Sequence, residues 1–308
     1  MKIFYSDYIA VPLPETHRFP MPKYGQLRER LLAAGWVSAE DMQVGPPASD
    51  EQLLRVHTPD YLERLTQGRM TDQEMRRIGF PWSPQLVERA RRSVGCTIAA
   101  CRQALQDGLA VYMGGGTHHA YPDHGQGYCV FNDVGVASRT LQAEGRLQRV
   151  VILDCDVHQG NGTAAIFAGD PSVFTFSVHG EKNFPFHKEA SDLDIPLPDG
   201  SDDRAFLEAV QKGTRTAIAQ AQADLAIYIA GADPFAGDQL GRMAVTKGGL
   251  ARRERLVLEL CCAAGLPVAI VMGGGYGKDV DDTVEIHLQT IRIAAQLAPQ
   301  FTSLVAAQ

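Results

Sequence analysis

Short, uniformly apolar runs alternate with longer segments of helical composition along most of the chain. Runs of this length are typical of strands that are buried on both faces of a sheet. The predicted strands are Leu109–Met113, Val150–Leu153, Val173–Val178, Leu225–Ala230 and Val268–Met272. The predicted helices are Pro84–Gln106, Asn132–Glu144, Ser201–Ala223 and Leu250–Ala264, with Ser83, Asn132 and Ser201 as N-caps. This alternation predicts an α/β fold with a central, mostly parallel sheet and helices on both faces.

The composition fits one globular unit that does not bind nucleic acid. The 308 residues are 45% hydrophobic and 21% charged, and no repeat or Gly/Ser linker divides them, so we expect a single domain over residues 1–308. The net charge is −7, whereas proteins that bind polyanions carry clustered basic residues. The negative net charge produces only a weak field over the whole surface, so it mildly favours cationic substrates. The two short basic runs are predicted to be solvated helix faces: Arg89, Arg91, Arg92 and Arg252, Arg253, Arg255.

The sequence favours a cytoplasmic protein without disulfide bonds. No stretch has the roughly 18 to 20 apolar residues of a membrane helix, and the first residues lack the apolar core of a signal peptide. The six cysteines form no CxxC pair, so we expect reduced, mostly buried thiols.

The segment Asp154–Gly162 is the most informative part of the sequence. In an extended chain Asp154, Asp156 and His158 share one face at the end of a buried strand. Burying unpartnered carboxylates costs several kcal/mol each, and a bound cation is the simplest compensation. A second buried strand ends at Asp233, which could supply a third ligand. An Asp, His, Asp set suits catalytic zinc, with iron or manganese as rivals.

Two glycine-rich turns follow two further strands. His118 and His119 come after the first turn, and histidine pairs in such a position are candidates for proton transfer. Tyr276 follows the second turn and could donate its hydroxyl to a developing oxyanion. Because ligand sites in open parallel sheets lie outside the carboxyl ends of the strands, these motifs are expected to meet there.

Together the motifs resemble the histone deacetylase superfamily, whose members have the arginase/deacetylase fold. The resemblance runs from about His17 to Tyr276 and rests on Gly114–His119, Asp154–Gly162, Ala230–Asp233 and Gly273–Tyr276. Three segments are most similar to the class IV branch and its bacterial relatives: Val56–Leu62, His158–Gly162 and Gly231–Gly241.

The resemblance implies a role for each of these residues. The zinc ligands would be Asp156, His158 and Asp233, with Fe²⁺ possible in the cell, and a structural K⁺ would lie near Asp154–His158 and Ser177. His119 would be the general base and His118, held by Asp154, its electrostatic or proton-donating partner. Tyr276 would polarise the acyl carbonyl. The acyl-lysine tunnel would be lined by Gly127, Tyr128 and Phe184, behind an entrance loop at residues 17–24.

One departure from class I members has chemical content. Asn161 stands where those members carry an Asp, so a neutral amide would orient His119. A neutral partner stabilises an imidazolium less than a carboxylate does, which would make His119 easier to keep as a neutral base.

The resemblance therefore implies a zinc-dependent amidohydrolase that removes acetyl or longer acyl groups from the ε-amine of lysine in proteins. The first alternative is a deacetylase of acetylated polyamines or similar small amines. A dimanganese, arginase-like hydrolase is disfavoured because Gln159 and Asn161 stand where bridging acids would be needed. A non-catalytic binding protein is disfavoured by the complete residue set. Oligomeric state cannot be derived from these features.

Overall fold

The computed structural model describes residues 1–14 and 16–306. The strands are β1 Lys2–Tyr5, β2 Met42–Val44, β3 Leu109–Tyr112, β4 Val150–Asp154, β5 Val173–Gly180, β6 Leu193–Leu197, β7 Leu225–Ile229 and β8 Val268–Val271. The helices are α1 Lys23–Ala34, α2 Asp50–Leu53, α3 Pro59–Thr66, α4 Asp72–Ile78, α5 Pro84–Asp107, α6 Asp133–Ala143, α7 Asn161–Phe167, α8 Asp203–Ala221, α9 Lys247–Ala263 and α10 Val280–Ala306.

All eight strands form one sheet in the order β2-β1-β3-β8-β7-β4-β5-β6, and every pairing between them is parallel. Helices cover both faces of this sheet and the chain forms a single domain, which confirms the predicted fold class. The five predicted strands are all present, and β4 and β5 extend slightly beyond their apolar runs.

The sequence patterns miss three strands that lie toward the edges of the sheet. β2 and β6 are the two outermost strands, and neither is fully buried. β6 also contains Pro196, which cannot donate to a ladder and is tolerated at an edge. β1 has only four residues. These strands form because they pair with a neighbouring strand, so their own sequences show little of the apolar pattern typical of a strand.

Alternate side chains of the central strands feed two apolar layers, one on each face of the sheet. In β3, Leu109 and Val111 pack into the layer of α1, α8, α9 and α10, while Ala110 and Tyr112 pack into the opposite layer with α5 and α6. Each central strand is therefore buried on both faces, and its polar residues are displaced to its carboxyl end.

Two predicted helix starts are wrong: α9 begins at Lys247, three residues before the predicted Leu250, and α8 begins two residues after the predicted Ser201. α8 begins at Asp203 and is capped by Asp202, whose Oδ1 accepts the amide of Ala205 at 2.9 Å. The Ser201 hydroxyl lies one residue before this cap and donates to the carbonyl of Pro198 at 2.7 Å. Ser83 and Asn132 cap α5 and α6 as predicted.

Two further properties bear on the sequence expectations. All six cysteines are free, and five of them are buried. Within residues 1–14 and 16–306, none of the helices combines the length and apolarity needed to cross a membrane.

Packing of α8 against β5 generates a first prediction. A Cβ added at Gly213 would lie 2.1 Å from the ring of Phe176, which is buried in the core. Gly213→Ala therefore forces the core to shift, and overpacking of this kind costs about 1–3 kcal/mol. We expect a lower free energy of unfolding, measured by urea denaturation.

Gly248→Ala in α9 is the matched control, since a Cβ there meets only the Thr246 hydroxyl at 3.6 Å. In that helix alanine should be neutral or stabilising by up to about 1 kcal/mol. If both variants had the same unfolding midpoint, the inference that Gly213 packs too tightly against Phe176 to accept a Cβ would be wrong.

Candidate metal and catalytic site

The predicted site residues come together at the carboxyl ends of four adjacent strands, β3, β8, β7 and β4. The ligands do not follow the strand alternation that the sequence suggests, because β4 ends at Asp154 and the chain bends over residues 155–160. Asp156 and His158 nevertheless face the same point, and Asp233 from the loop after β7 joins them. The convergence is therefore made by a loop and not by an extended strand.

Three buried side chains offer their ligand atoms to one position. Nδ1 of His158 lies 3.0 Å from Asp156 Oδ1 and 3.1 Å from Asp233 Oδ2. One ligand atom from each of the three residues falls within 4.8 Å of the others. Asp233 is 0% exposed and Asp156 only 1%, so solvent does not stabilise their charges.

Backbone amides fix the two carboxylates in place. Asp156 accepts the amides of His158 at 2.9 Å and Gly274 at 2.7 Å, and Asp233 accepts the amide of Val157 at 2.9 Å. A Cβ at Gly274 would lie 2.0 Å from Asp233 Oδ2, so only glycine lets the backbone come this close. The ligands are thus held by the chain itself before any cation binds.

The donor set fits a divalent metal ion. Burial alone lowers the pKa of His158, but the hydrogen bonds that it donates to Asp156 and Asp233 outweigh this effect and raise that pKa to about 10. The two carboxylates therefore favour a positive charge at this point, which a divalent cation would supply. One imidazole nitrogen and two carboxylate oxygens leave further coordination positions open, as in catalytic metal sites.

His118 is paired with a buried carboxylate. Its Nδ1 donates to Asp154 Oδ2 at 2.6 Å, as predicted, and both groups are buried. Burial lowers the pKa of His118, but the negative charges of Asp154 and Asp156 overcome this effect and raise it to about 9. This imidazole is therefore suited to carry a positive charge beside the metal site.

His119 lies in a different hydrogen-bond chain, which determines its tautomer. Tyr121 donates to Glu189 at 2.9 Å and accepts from Nδ2 of Asn161 at 3.1 Å, which turns the amide oxygen of Asn161 toward His119. Nδ1 of His119 must therefore carry the proton that it shares with that oxygen at 2.7 Å. Its Nε2 keeps a free lone pair. Burial lowers the pKa of His119, which also favours the neutral ring.

The loop that carries both histidines is anchored by Asp133, a residue that the sequence analysis did not identify. Its buried carboxylate accepts the amides of Gly116 at 3.0 Å and Thr117 at 2.7 Å. It also accepts the hydroxyls of Thr97 and Thr117. The available signal in the sequence was an acidic residue at the start of a helix, but an ordinary helix cap gives the same signal.

Tyr276 is positioned by Asp238, which the sequence analysis also missed as a functional residue. The amide of Tyr276 donates to Asp238 Oδ2 at 2.6 Å, while Asp238 Oδ1 accepts the amides of Leu240 and Gly241. Burial and the charges of Asp156 and Asp233 raise the pKa of Tyr276 well above its usual value. The phenol therefore keeps its proton and can donate it in a hydrogen bond.

An open cleft of about 610 Å³ leads to the site. His119, His158 and Tyr276 line it together with the predicted tunnel residues Gly127, Tyr128 and Phe184. The Phe184 ring packs edge-on against His119 at 4.9 Å, and a Cβ at Gly127 would lie 2.7 Å from His119. Tyr128 has a φ of 64°, a conformation that costs non-glycine residues roughly 1–2 kcal/mol and clusters at functional sites.

The N-terminal segment packs against two residues that line the cleft, Gly79 and Tyr128. Nε2 of His17 hydrogen-bonds the carbonyl of Gly79 at 2.8 Å, and the ring of Phe19 packs edge-on against Tyr128 at 5.3 Å. The predicted entrance loop is shorter than residues 17–24, because α1 begins at Lys23.

The prediction that both basic runs are solvated faces is wrong for Arg253. This residue is 0% exposed and lies beneath the metal ligands. Its Nη1 donates to the carbonyl of Cys155 at 3.1 Å and to that of Gly231 at 2.6 Å, and its Nη2 pairs with buried Glu254. Arg253 therefore joins the loop after β4 to the loop after β7. In the other run, Arg89 stacks on Tyr24 at 4.5 Å and is only half-exposed.

Comparisons with known proteins agree with this arrangement. The histone deacetylase domain family matches residues 17–291. A histone deacetylase-like amidohydrolase of Pseudomonas aeruginosa is 32% identical, over 86% of this chain and 72% of its own length. Histone deacetylase 2 of Arabidopsis thaliana is 28% identical, over 92% of this chain and 78% of its own length. A protein of Picosynechococcus sp., described as uncharacterized, is 48% identical over 92% and 95%.

Solved structures show the same fold. The crystal structure of an HDAC homologue from Aquifex aeolicus has a TM-score of 0.82 at 22% identity, over 99% of this chain and 88% of that one. An HDAC homologue complexed with SAHA has a TM-score of 0.83 at 22% identity and the same coverage. The fold and the grouped side chains are those of an α/β protein with a candidate metal centre at the carboxyl edge of its sheet. The chain belongs to the histone deacetylase family, and it is a deacetylase-type amidohydrolase of that family.

The buried position of Arg253 generates a second prediction. Arg253→Met leaves Glu254 as a buried, unpaired charge and frees two loop carbonyls, and losing one partner of a buried pair costs about 3–5 kcal/mol. We expect that loss in the free energy of unfolding, measured by urea denaturation. Arg252→Met is the control, because Arg252 pairs with Asp203 at the surface, where such pairs contribute at most about 1 kcal/mol.

A double variant separates the two roles of Arg253. Adding Glu254→Gln removes the unpaired charge but leaves the carbonyls of Cys155 and Gly231 without their donor. Stability should therefore recover only in part. Full recovery in the double variant would show that Arg253 neutralises Glu254 and does not hold the loops.

Proposed function

We propose that the protein is a zinc-dependent amidohydrolase that removes acyl groups from the ε-amine of lysine. The observation that carries this proposal is the grouping of a buried Asp, His, Asp triad with a neutral histidine and a protonated tyrosine at one cleft. Zinc held by Asp156, His158 and Asp233 would supply Lewis acidity toward the acyl carbonyl and the attacking water.

The chain's own residues perform the proton transfers. The free Nε2 of His119 accepts a proton from the attacking water, since Nδ1 is occupied by the hydrogen bond to Asn161. The hydroxyl of Tyr276 donates to the carbonyl oxygen as negative charge develops there. His118, held positive by Asp154, stabilises that charge, and the histidine pair returns a proton to the leaving amine.

Two observations favour one metal ion over an arginase-like pair. Nε2 of Gln159 donates to the carbonyl of Glu189 at 2.6 Å and to Asp194 at 2.9 Å, so this side chain serves the scaffold. In the described part of the chain, the Asp156, His158 and Asp233 group is the one cluster with metal-ligand geometry.

A structural K⁺ completes the proposal. Asp154 and Ser177 are register partners on β4 and β5, and both are buried below the triad. A monovalent cation held by oxygen atoms of this region would stabilise the bend that carries Asp156 and His158. Acetyl-lysine, longer acyl-lysines and acetylated small amines are the substrates to compare first.

Tyr276→Phe tests the proposed reaction. Removing one oxyanion donor costs roughly 2.7–4 kcal/mol, so kcat on acetyl-lysine peptides should fall by about two to three orders of magnitude. Zinc content, measured by elemental analysis, should not change, because Tyr276 is outside the triad. Tyr8→Phe, at an exposed tyrosine outside the cleft, is the control and should retain full activity. Normal turnover by Tyr276→Phe, or a zinc-loaded wild type that hydrolyses no acylated amine, would overturn the proposal.

Asn161→Asp tests the role of His119 as the base. A carboxylate stabilises the imidazolium, so it raises the pKa of His119 relative to the neutral amide. Because the base must be deprotonated, the acidic limb of the kcat/KM profile should move to higher pH. Asn132→Asp, which alters a buried amide in the α6 cap without a bond to His119, controls for a general effect. An unchanged acidic limb in Asn161→Asp would remove His119 from the role of base.

A further inference from the structure

The mouth of the cleft has a charge opposite to that of the chain as a whole. Four cationic residues line it: Arg76, Arg77, Lys182 and Arg242. They come from three separate segments, the end of α4, the loop after β5 and the loop after β7. None of the described residues that line the cleft is acidic. The net charge of −7 is therefore carried elsewhere on the molecule.

Most of these cations are free to act on a ligand. Among the residues that the structure describes, Arg76, Arg77 and Lys182 form no ion pair, and all three are exposed. Arg242 pairs with Asp199 at 3.1 Å, but both partners are largely exposed, so this pair is weak. The position of Arg76 and Arg77 in the last turn of α4 suits the helix dipole, but that effect does not account for the two loop cations.

We infer that the substrate carries a carboxylate close to the acylated amine, either as acidic residues beside an acyl-lysine or as part of a small acylated amino acid. This inference rests on the proposed amide hydrolysis. The cations attract an anionic group at the mouth while the acyl group lies among Gly127, Phe184 and Tyr276. They repel a free ammonium group, so acetylated polyamines and lysine-rich segments are disfavoured.

Substrates that differ only in charge test this inference. We would measure kcat/KM for acetyl-lysine peptides of equal length flanked by Glu, Gln or Lys. Two small amides extend the comparison, 6-acetamidohexanoate with a carboxylate and N-acetylcadaverine with an ammonium on the same five-carbon spacer. The anionic member should be preferred about tenfold in low salt, and the preference should shrink in 0.5 M NaCl because exposed charges are screened. A charge preference among the three peptides would indicate an acidic protein segment, whereas a preference confined to the two small amides would indicate a small carboxylate.

Variants of the rim assign the preference to these side chains. Arg76→Gln combined with Arg77→Gln should lower the ratio of Glu-flanked to Lys-flanked kcat/KM by about threefold. Arg215→Gln is the matched control, an exposed arginine on α8 without an ion pair in the described chain and outside the cleft lining, and should keep the wild-type ratio. Equal rates on the Glu-flanked and Lys-flanked peptides, or a preference for Lys, would overturn the inference.

Binding separates this inference from the proposed function. The Tyr276→Phe chain, loaded with zinc, should bind a labelled Glu-flanked acetyl-lysine peptide more tightly than the Lys-flanked peptide, as measured by fluorescence anisotropy. If no amide were hydrolysed by the wild type but this difference in affinity persisted, the reaction would be wrong and the anionic preference would stand. If the wild type hydrolysed the amides without a charge preference, the proposed reaction would stand and the anionic preference would be wrong.

Discussion

The site depends on two carboxylates that are removed from water at the carboxyl end of the sheet. Asp156 and Asp233 are buried on either side of the His158 imidazole, and the His118 imidazole lies 3.9 Å from Asp156. Isolated charges in such a place would cost several kcal/mol each. A cation at their meeting point would remove this cost, so the same burial that destabilises the site without a cation would favour the binding of a metal ion.

The parallel sheet makes this arrangement possible. β4 and β7 are neighbours in register, with Asp154 opposite Ile229, so the loops that follow them leave the sheet side by side. Amides of Val157, His158 and Gly274 then aim the carboxylates, and Arg253 ties the two loops together from below. Ligand positions are thus set by backbone groups of the loops that follow neighbouring strands, and each of these loops starts from a strand that is buried on both faces.

The grouping of the candidate ligand and catalytic residues could be predicted because polar residues after apolar runs are conspicuous in a sequence. His118, His119, Asp156, His158 and Asp233 all stand at such positions. Arg253 could not be assigned, since one arginine in a basic run looks like its exposed neighbours until α9 is packed against the sheet. Asp238 and Asp133 were missed for a related reason: each acts on backbone amides, and an acid near a turn or helix start has the same local signature without that role. The edge strands β2 and β6 lack the apolar pattern because one side of each is open.

The charge at the cleft is a further property that the sequence alone does not predict. Composition gives only the net charge of the chain, −7, and a negative net charge mildly favours cationic ligands. A ligand at the mouth, however, responds to the side chains within about one Debye length, roughly 8 Å at physiological salt. Within that range the lining is basic, and its members lie more than 160 residues apart in the chain, from Arg76 to Arg242. Only folding brings them together, so the sign of the local field is a property of the topology and opposes the one that composition suggests.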